Sequence, residues 1–438
     1  MKTLMTKALE IAEACDIYVR EVESTSVGMV KGELKQIQSE KKTEVALRLV
    51  KDGLIGSAVS TDIQDETLVE RAMISLENQG TEADAFPNEA YEQVNAFSSD
   101  VEEMSLEEMV EELKTLNQRL RDKDDSVQTR VFISKEVKRV RLMNSQGFEG
   151  SYDKTNISLG MSTITDQGFH GASKSYDSGM MPEVLDRHID NLFEHHYLGD
   201  KKIQLDNETM PVVFAGRVMG SLMLRVLAGV NGGNIVKGVS PMVDKLGHQI
   251  FSDKLTIRDV GNLSWGCNTM AFDDEGTPSQ NTLVYDQGKL NSYLMSIGQA
   301  KKLDLKPTGN ALKRSLFSKE IEDAPAVFDT NMLIEGDNIP DETLIKGIKR
   351  GLLITGVMGA HTGNMVAGDY SMNISSGFLI EEGKLVGKVQ GAMIAGNIYD
   401  LFKNVEAIGS EYEVMHSIFY PMGYAPMVKF SEALIIGK

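Results

Sequence analysis

The sequence predicts an α+β fold in two parts. An N-terminal α/β region of antiparallel meander and helices takes residues 1–205, and a C-terminal β-rich domain with mainly antiparallel strands takes residues 206–438. In the first part, runs with helical apolar spacing flank strand-like alternating runs, the pattern of helices laid on an antiparallel sheet. In the second, short strand-like runs are separated by glycine turns, the pattern of an antiparallel β domain. With 438 residues the chain also needs more than one core.

Two sub-units, residues 1–100 and 105–205, make up the N-terminal region. Residues 4–14 have helical spacing, and 17–22 and 26–30 alternate as strands. Residues 32–39 are mostly polar, with Leu34 and Ile37 their only apolar side chains. Residues 44–50 and 54–59 flank Asp52-Gly53, a strong two-residue hairpin signal. Helical spacing returns over 65–77, and residues 80–101, which include Pro87, read as a connection across the surface. Ser105 with Glu108 forms a capping box ahead of a helix over 106–120. Residues 127–143 and 156–163 are strand-like, separated by a loop signal over 144–147, and residues 135–141 (KEVKRVR) read as the solvated side of a strand. A helix over 182–196 carries His188, His195 and His196. Their spacing does not suit a metal site, so the expectation is a surface helix with cationic residues near its C-terminus.

Residues 211–215 are a short buried strand, and 216–229, apolar on most sides, a core helix. The glycine-rich residues 230–234 follow a helix instead of opening one and lack the lysine–serine pair of a phosphate loop. The second half is organised around residues 271–310. Asp273, Asp274 and Glu275 precede Gly276-Thr277-Pro278, then strands over 282–285 and 290–295 flank a reversal at Asp286-Gln287-Gly288, and a helix runs through 299–303. Three adjacent carboxylates belong at a surface or cleft unless each finds a partner, so the loop reads as a binding edge. A helix over 343–351, a strand over 351–358 and small-residue segments around His361, Asn364 and Asp369 come next, with strands over 377–381, 384–386 and 392–395. Asp273, Asp274, Glu275, Thr277, His361, Asn364 and Asp369 are the candidate cavity or peptide-binding residues.

Composition narrows the function. A net charge of −19, from 45 basic against 64 acidic residues, provides no basic face for nucleic acid. No apolar run is long enough to span a membrane, and residues 1–16 lack the unbroken apolar stretch of a signal peptide. Cys15 and Cys267 give neither a disulfide framework nor a paired zinc spacing, which suits a reducing cytoplasm.

Several segments resemble the TldD/PmbA family of metallopeptidases, and more closely its PmbA (TldE) branch. They are FDDEGTPSQNTLV at 272–284, PTGN at 307–310, GLLITGVMG at 351–359, AGDYSMNISSGFLIEEGKL at 367–385 and IAGNIYDLF at 394–402, with VKGELKQIQSEKKTEVALRLVKDGLIGSA at 30–58. The resemblance implies a C-terminal domain holding the family's chemistry. In the TldD branch a helix there carries two histidines around a glutamate and binds zinc with a downstream cysteine. Laid on this chain, the resemblance puts the ligand positions near Leu224 and Gly229 and the base near Arg225, and neither histidine nor cysteine occurs between residues 216 and 247. The expectation is therefore a subunit with no cofactor and no metal ligands of its own and no catalytic residue. It would pair with a TldD-like zinc-bearing partner, or with itself as a homodimer, to act on unfolded peptides. Two alternatives stay open: a peptidase active alone through another metal site, and a non-enzymatic regulator or binding protein.

Overall fold

The computed structural model describes residues 1–82, 86–164, 170–315, 321–322, 324–417 and 420–437. Part of the connection expected over 80–101 therefore lies outside the described residues. The N-terminal region is one seven-stranded sheet. Its strands are β1 (Ala14–Val30), β2 (Glu33–Lys51), β3 (Leu54–Ser60), β4 (Thr81–Glu82), β5 (Gln128–Asn144), β6 (Glu149–Ile164) and β7 (His170–Ser178), in the order β4-β3-β2-β1-β5-β6-β7. Every pairing in it is antiparallel. The two expected sub-units thus share a single sheet, joined where β1 pairs with β5 from Asp16–Asn144 to Val30–Arg130.

Local signals in the sequence divide the first hairpin into short pieces. The structure makes it one long ribbon, because the polar residues 33–41 pair with β1 while staying exposed on both faces. Its turn, Lys31-Gly32, has φ of 56° and 76°. The same positive pair recurs at Asp52-Gly53, Gln287-Gly288 and Glu382-Gly383. This is the two-residue turn whose twist matches a hairpin, and glycine at its second position removes the steric penalty.

One face of the sheet is covered by helices α1 (Lys2–Leu9), α2 (Leu68–Gln79), α3 (Ser99–Glu103), α4 (Leu106–Lys123) and α5 (Asp186–Leu198). Ala8, Leu68 and Ala72 pack on Ile17, Val45 and Leu47, while Met109, Leu113 and Leu192 pack on Val131, Ile133 and Ile157. The capping box is present: Glu108 N donates to Ser105 Oγ at 3.2 Å, and Ser105 N to Glu108 Oε2 at 2.6 Å. α5 is a surface helix as expected, with Asp186, Arg187, Asp190 and Glu194 exposed, but its three histidines are half-buried and individually engaged. His188 Nδ1 lies 2.7 Å from Tyr176 Oη, and His196 Nδ1 lies 2.9 Å from Thr163 Oγ1. His195 stacks on Phe378 at 4.6 Å, and burial first, then Arg217, lowers its pKa to about 4.

The C-terminal domain holds two larger sheets. In the first, Lys289–Leu290, Asn281–Asp286, Thr256–Val260, Met332–Glu335, Pro421–Ala425 and Glu413–His416 lie in that order. The second runs from Arg350–Met358 through Glu208–Phe214, Val428–Ile436 and Met393–Asn397 to Asp369–Glu381, and Arg350–Met358 also pairs with Asp369–Glu381, closing a ring. Asp369–Glu381 is longer than the expected 377–381, because Tyr370, Met372 and Ile374 alternate inward with exposed Asp369, Ser371 and Asn373. The return strand expected over 290–295 stops after Leu290. Beyond it Leu294 N donates to Val230 O, drawing the chain toward the end of helix α6 (Gly216–Val230). That helix is buried nearly all round and packs on the strands at 350–358, 413–416 and 421–425.

Glu413 ties the domains together. Its carboxylate takes Lys174 from β7 and the backbone N–H of Arg217, while Arg217 also donates to Ser173 O. Burial opposes the charge, yet Lys174 and then Arg217 outweigh it and lower the Glu413 pKa from 4.5 to about 2. A depressed carboxylate pKa stabilises the fold fully above pH 4.5, and this stabilisation is lost as pH falls toward 2. Its size is on the order of 3 kcal/mol. Glu413→Gln is expected to lower stability at pH 7 by about that amount, with the gap to the unsubstituted protein closing as pH approaches 2. Urea unfolding measured across that range checks it.

Candidate functional site

The acidic loop does not open onto solvent. Asp273, Asp274 and Glu275 are all buried, which corrects the expectation of a surface edge, and each has partners drawn from segments distant in sequence. Asp273 Oδ1 accepts from the N–H groups of Glu275 (3.0 Å) and Thr277 (2.9 Å), and its Oδ2 from Ala311 N (3.0 Å). Asp274 Oδ2 accepts from Lys313 N at 2.7 Å. Glu275 Oε2 accepts from Ile297 N at 3.1 Å, and its Oε1 lies 3.5 Å from Arg48 Nη1, a guanidinium also paired with Asp16. Burial, and after it the charge of Glu275, pushes the Asp273 carboxyl up. Gly276 turns the chain with φ of 96°. Thr277 is buried, its carbonyl accepting from Asp273 N at 2.9 Å. Glu275 lines a cavity of about 460 Å³ between the domains, bordered also by Arg48, Phe86 and Gln299.

His361, Asn364 and Asp369 lie elsewhere, on the exposed segment that leads into the strand Asp369–Glu381. Asn364 Oδ1 accepts from Ala367 N at 3.1 Å, and Asp369 Oδ1 from Asn397 Nδ2 at 3.0 Å. Among the described residues no hydrogen bond or ion pair connects this segment to the acidic loop, and no group of three His, Cys, Asp or Glu is placed to hold a metal ion. What anchors the segment is Arg225 of α6. Its guanidinium is fully buried and donates to four carbonyl oxygens, those of Asp369 (2.6 Å), Ala360 (3.0 Å), Thr362 (2.8 Å) and Ser221 (2.9 Å).

Residues 207–437 match the PmbA/TldA metallopeptidase C-terminal domain, residues 99–201 the central domain and residues 15–75 domain 1. The chain belongs to the PmbA/TldD metallopeptidase family. It is 28% identical over 371 residues to an uncharacterized protein of Methanocaldococcus jannaschii, a match covering 82% of each chain. It is 29% identical over 215 residues to the metalloprotease PmbA of Escherichia coli O157:H7, covering 49% of this chain and 44% of that one. Its fold is that of TldE from Thermococcus kodakarensis, with a TM-score of 0.90 over 100% of both chains at 20% identity.

The resemblance sets the zinc helix of the TldD branch against α6, and the residues there do not fit a metal. Leu224 and Gly229 have no donor atoms, and Arg225 is a cation already committed to four carbonyls. Gly229 also lacks room for an imidazole, since a Cβ built there would come within 2.2 Å of Tyr399 Oη, a buried hydroxyl with no hydrogen-bond partner among the described residues. The family motif PTGN is structural in this chain: Asn310 Nδ2 donates to Asp259 Oδ2 at 2.7 Å and to Phe328 O at 2.9 Å.

Sequence reasoning missed a second cleft, of about 390 Å³, between the open face of the N-terminal sheet and the C-terminal domain. Lys42, Glu136, Lys138, Lys154 and Asn156 floor it, and Arg314 and Tyr420 border it from the other side. The signal was available as parity. Over residues 36–44 of β2, 134–138 of β5 and 154–158 of β6 every second residue is charged or polar, just where an apolar face would mark a covered sheet. The stretch expected to be a solvated strand therefore has two functions, since Glu136 and Lys138 face this cleft while Lys135 Nζ donates to Glu102 O and Met104 O.

Arg225→Met is expected to destabilise the protein by about 3 kcal/mol, because it strands buried carbonyl oxygens. Amide exchange in residues 359–369 should accelerate by more than it does in the N-terminal sheet. Urea unfolding and hydrogen-exchange mass spectrometry check both.

Proposed function

We propose that this chain is a PmbA (TldE)-like subunit of a cytoplasmic peptidase acting on unfolded peptides, and that it has no zinc centre of its own. The observation that carries this reading is α6: the resemblance sets the ligands and base of the TldD branch near Leu224, Gly229 and Arg225, and these residues bring no donor atoms and a cation already engaged. Arg225 there holds a loop instead of activating water. A TldD-like partner supplies the cutting site, and this chain shapes the shared chamber and presents extended substrate, in part by pairing along strand edges. Glu275 at the interdomain cavity and the exposed segment of His361 and Asn364 are the sequence-derived candidates for its lining.

Co-expression with a TldD-like protein from the same source tests the reading. Hydrolysis of an unfolded peptide should require both chains, and zinc measured by mass spectrometry should be below stoichiometric in this chain purified alone. Full activity of the partner by itself, or one tightly held zinc per copy of this chain, would overturn it.

A further inference from the structure

The cleft on the open sheet face contains an unbalanced charge. Register places Lys42 and Lys138 on either side of Val22, and Lys138 beside Lys154, so three ammonium groups share one row across the sheet. In the next row Glu136 stands beside Asn156. Most of the cations in the cleft have a carboxylate at hand. Lys42 lies 2.8 Å from Glu44, Lys138 3.6 Å from Glu136, and Arg314 3.5 Å from Asp329. Lys154 differs. Its side chain is buried, its ammonium donates to the carbonyl oxygen of Cys267, and it makes no ion pair among the described residues. Burial first, then Lys138, lowers its pKa to about 7.

An ammonium held out of water with one carbonyl as its hydrogen-bond partner keeps two N–H donors unused, and Glu136 offsets its charge without pairing with it, an arrangement that an entering anion relieves. A singly charged anion suits the cleft better than a dianion, because Glu136 and Asp177 also line it and repel the higher charge more strongly. The volume, about 390 Å³, holds the end or one side chain of a peptide. Arg314 approaches from the opposite wall, its guanidinium 4.3 Å from the Tyr420 ring centroid, with Nε buried and unpartnered among the described residues.

The geometry points to this cleft, with Lys154 at its floor, as a subsite for a single carboxylate of a bound peptide. The assignment rests on the reading of the chain as a peptide-handling subunit and names the group that such a subunit recognises. A charge-assisted hydrogen bond in a site this sheltered favours the carboxylate by about tenfold or more.

Fluorescence anisotropy on the intact chain tests it with three fluorescein-labelled, unstructured peptides of about ten residues. One has neutral side chains and a free C-terminal carboxylate, the second is its C-terminal amide, and the third is that amide with one internal glutamate. The free acid or the glutamate peptide should bind about tenfold tighter than the neutral amide, and whichever does so assigns the source of the carboxylate. Lys154→Met should abolish that preference while leaving affinity for the neutral amide unchanged, with a thermal midpoint equal to or above that of the unsubstituted protein. A purely structural lysine would instead lower the midpoint and leave the preference intact. Lys154→Gln provides a second variant, with the same expected loss of preference. Equal binding of all three peptides, no binding of any, or a preference that survives both substitutions would overturn the subsite. If co-expressed peptidase activity still requires this chain while the peptides bind alike, the subunit reading stands and the subsite alone falls.

Discussion

The turn from Phe272 to Thr277 is the constraint on which the two-domain structure depends. Phe272 is completely buried and sits among Tyr91, Phe148 and Tyr152 of the N-terminal region, with ring centroids 4.8 to 5.2 Å away in edge-on contact. Directly after it, Asp273 gathers three N–H groups, Asp274 one and Glu275 another, and Glu275 reaches back to Arg48 on β2. Burying three consecutive carboxylates is costly unless backbone donors and a cation meet them, and here the donors come from the turn itself and from segments C-terminal to it. The acidic loop thus fastens the C-terminal domain onto the N-terminal sheet.

This fastening sets where a ligand can go. Near the turn, the sheet face is sealed by Tyr18, Ala46, Val140 and Leu142 against Met270, Ala271 and Leu312. Further along the same strands the contact ends, the side chains become charged, and the cleft of Lys138 and Lys154 opens. On the other side of the turn lies the cavity bordered by Glu275 and Arg48. A loop with the look of a binding surface in one dimension therefore acts as the partition between two cavities.

Much of the architecture was legible in the chain. The capping box at Ser105, the glycine turns at Asp52-Gly53 and Glu382-Gly383, and the apolar run that forms α6 are local signals, and the structure has each of them where the residues place it. Lengths were less legible. The hairpin of β1 and β2 and the strand Asp369–Glu381 extend through polar residues that nothing local marks as paired. The histidines of α5 looked solvated in isolation, but Tyr176, Thr163 and Phe378, from three other strands, engage them.

By itself the sequence determined which atoms α6 can offer, because a leucine, an arginine and a glycine bring the same donors or none in whatever fold they occupy. It also determined the turns, since positive φ and the absence of a Cβ are properties of single residues. Tertiary structure decided the state of the charges. Asp273 depends on Ala311, Glu275 on Ile297 and Arg48, and Arg225 on carbonyls more than a hundred residues away. Whether a charged group is neutralised or left waiting for a ligand is fixed by what folding brings beside it, and Lys154, facing a cleft with a carbonyl as its hydrogen-bond partner, is the case in which folding brought no carboxylate into direct contact among the described residues.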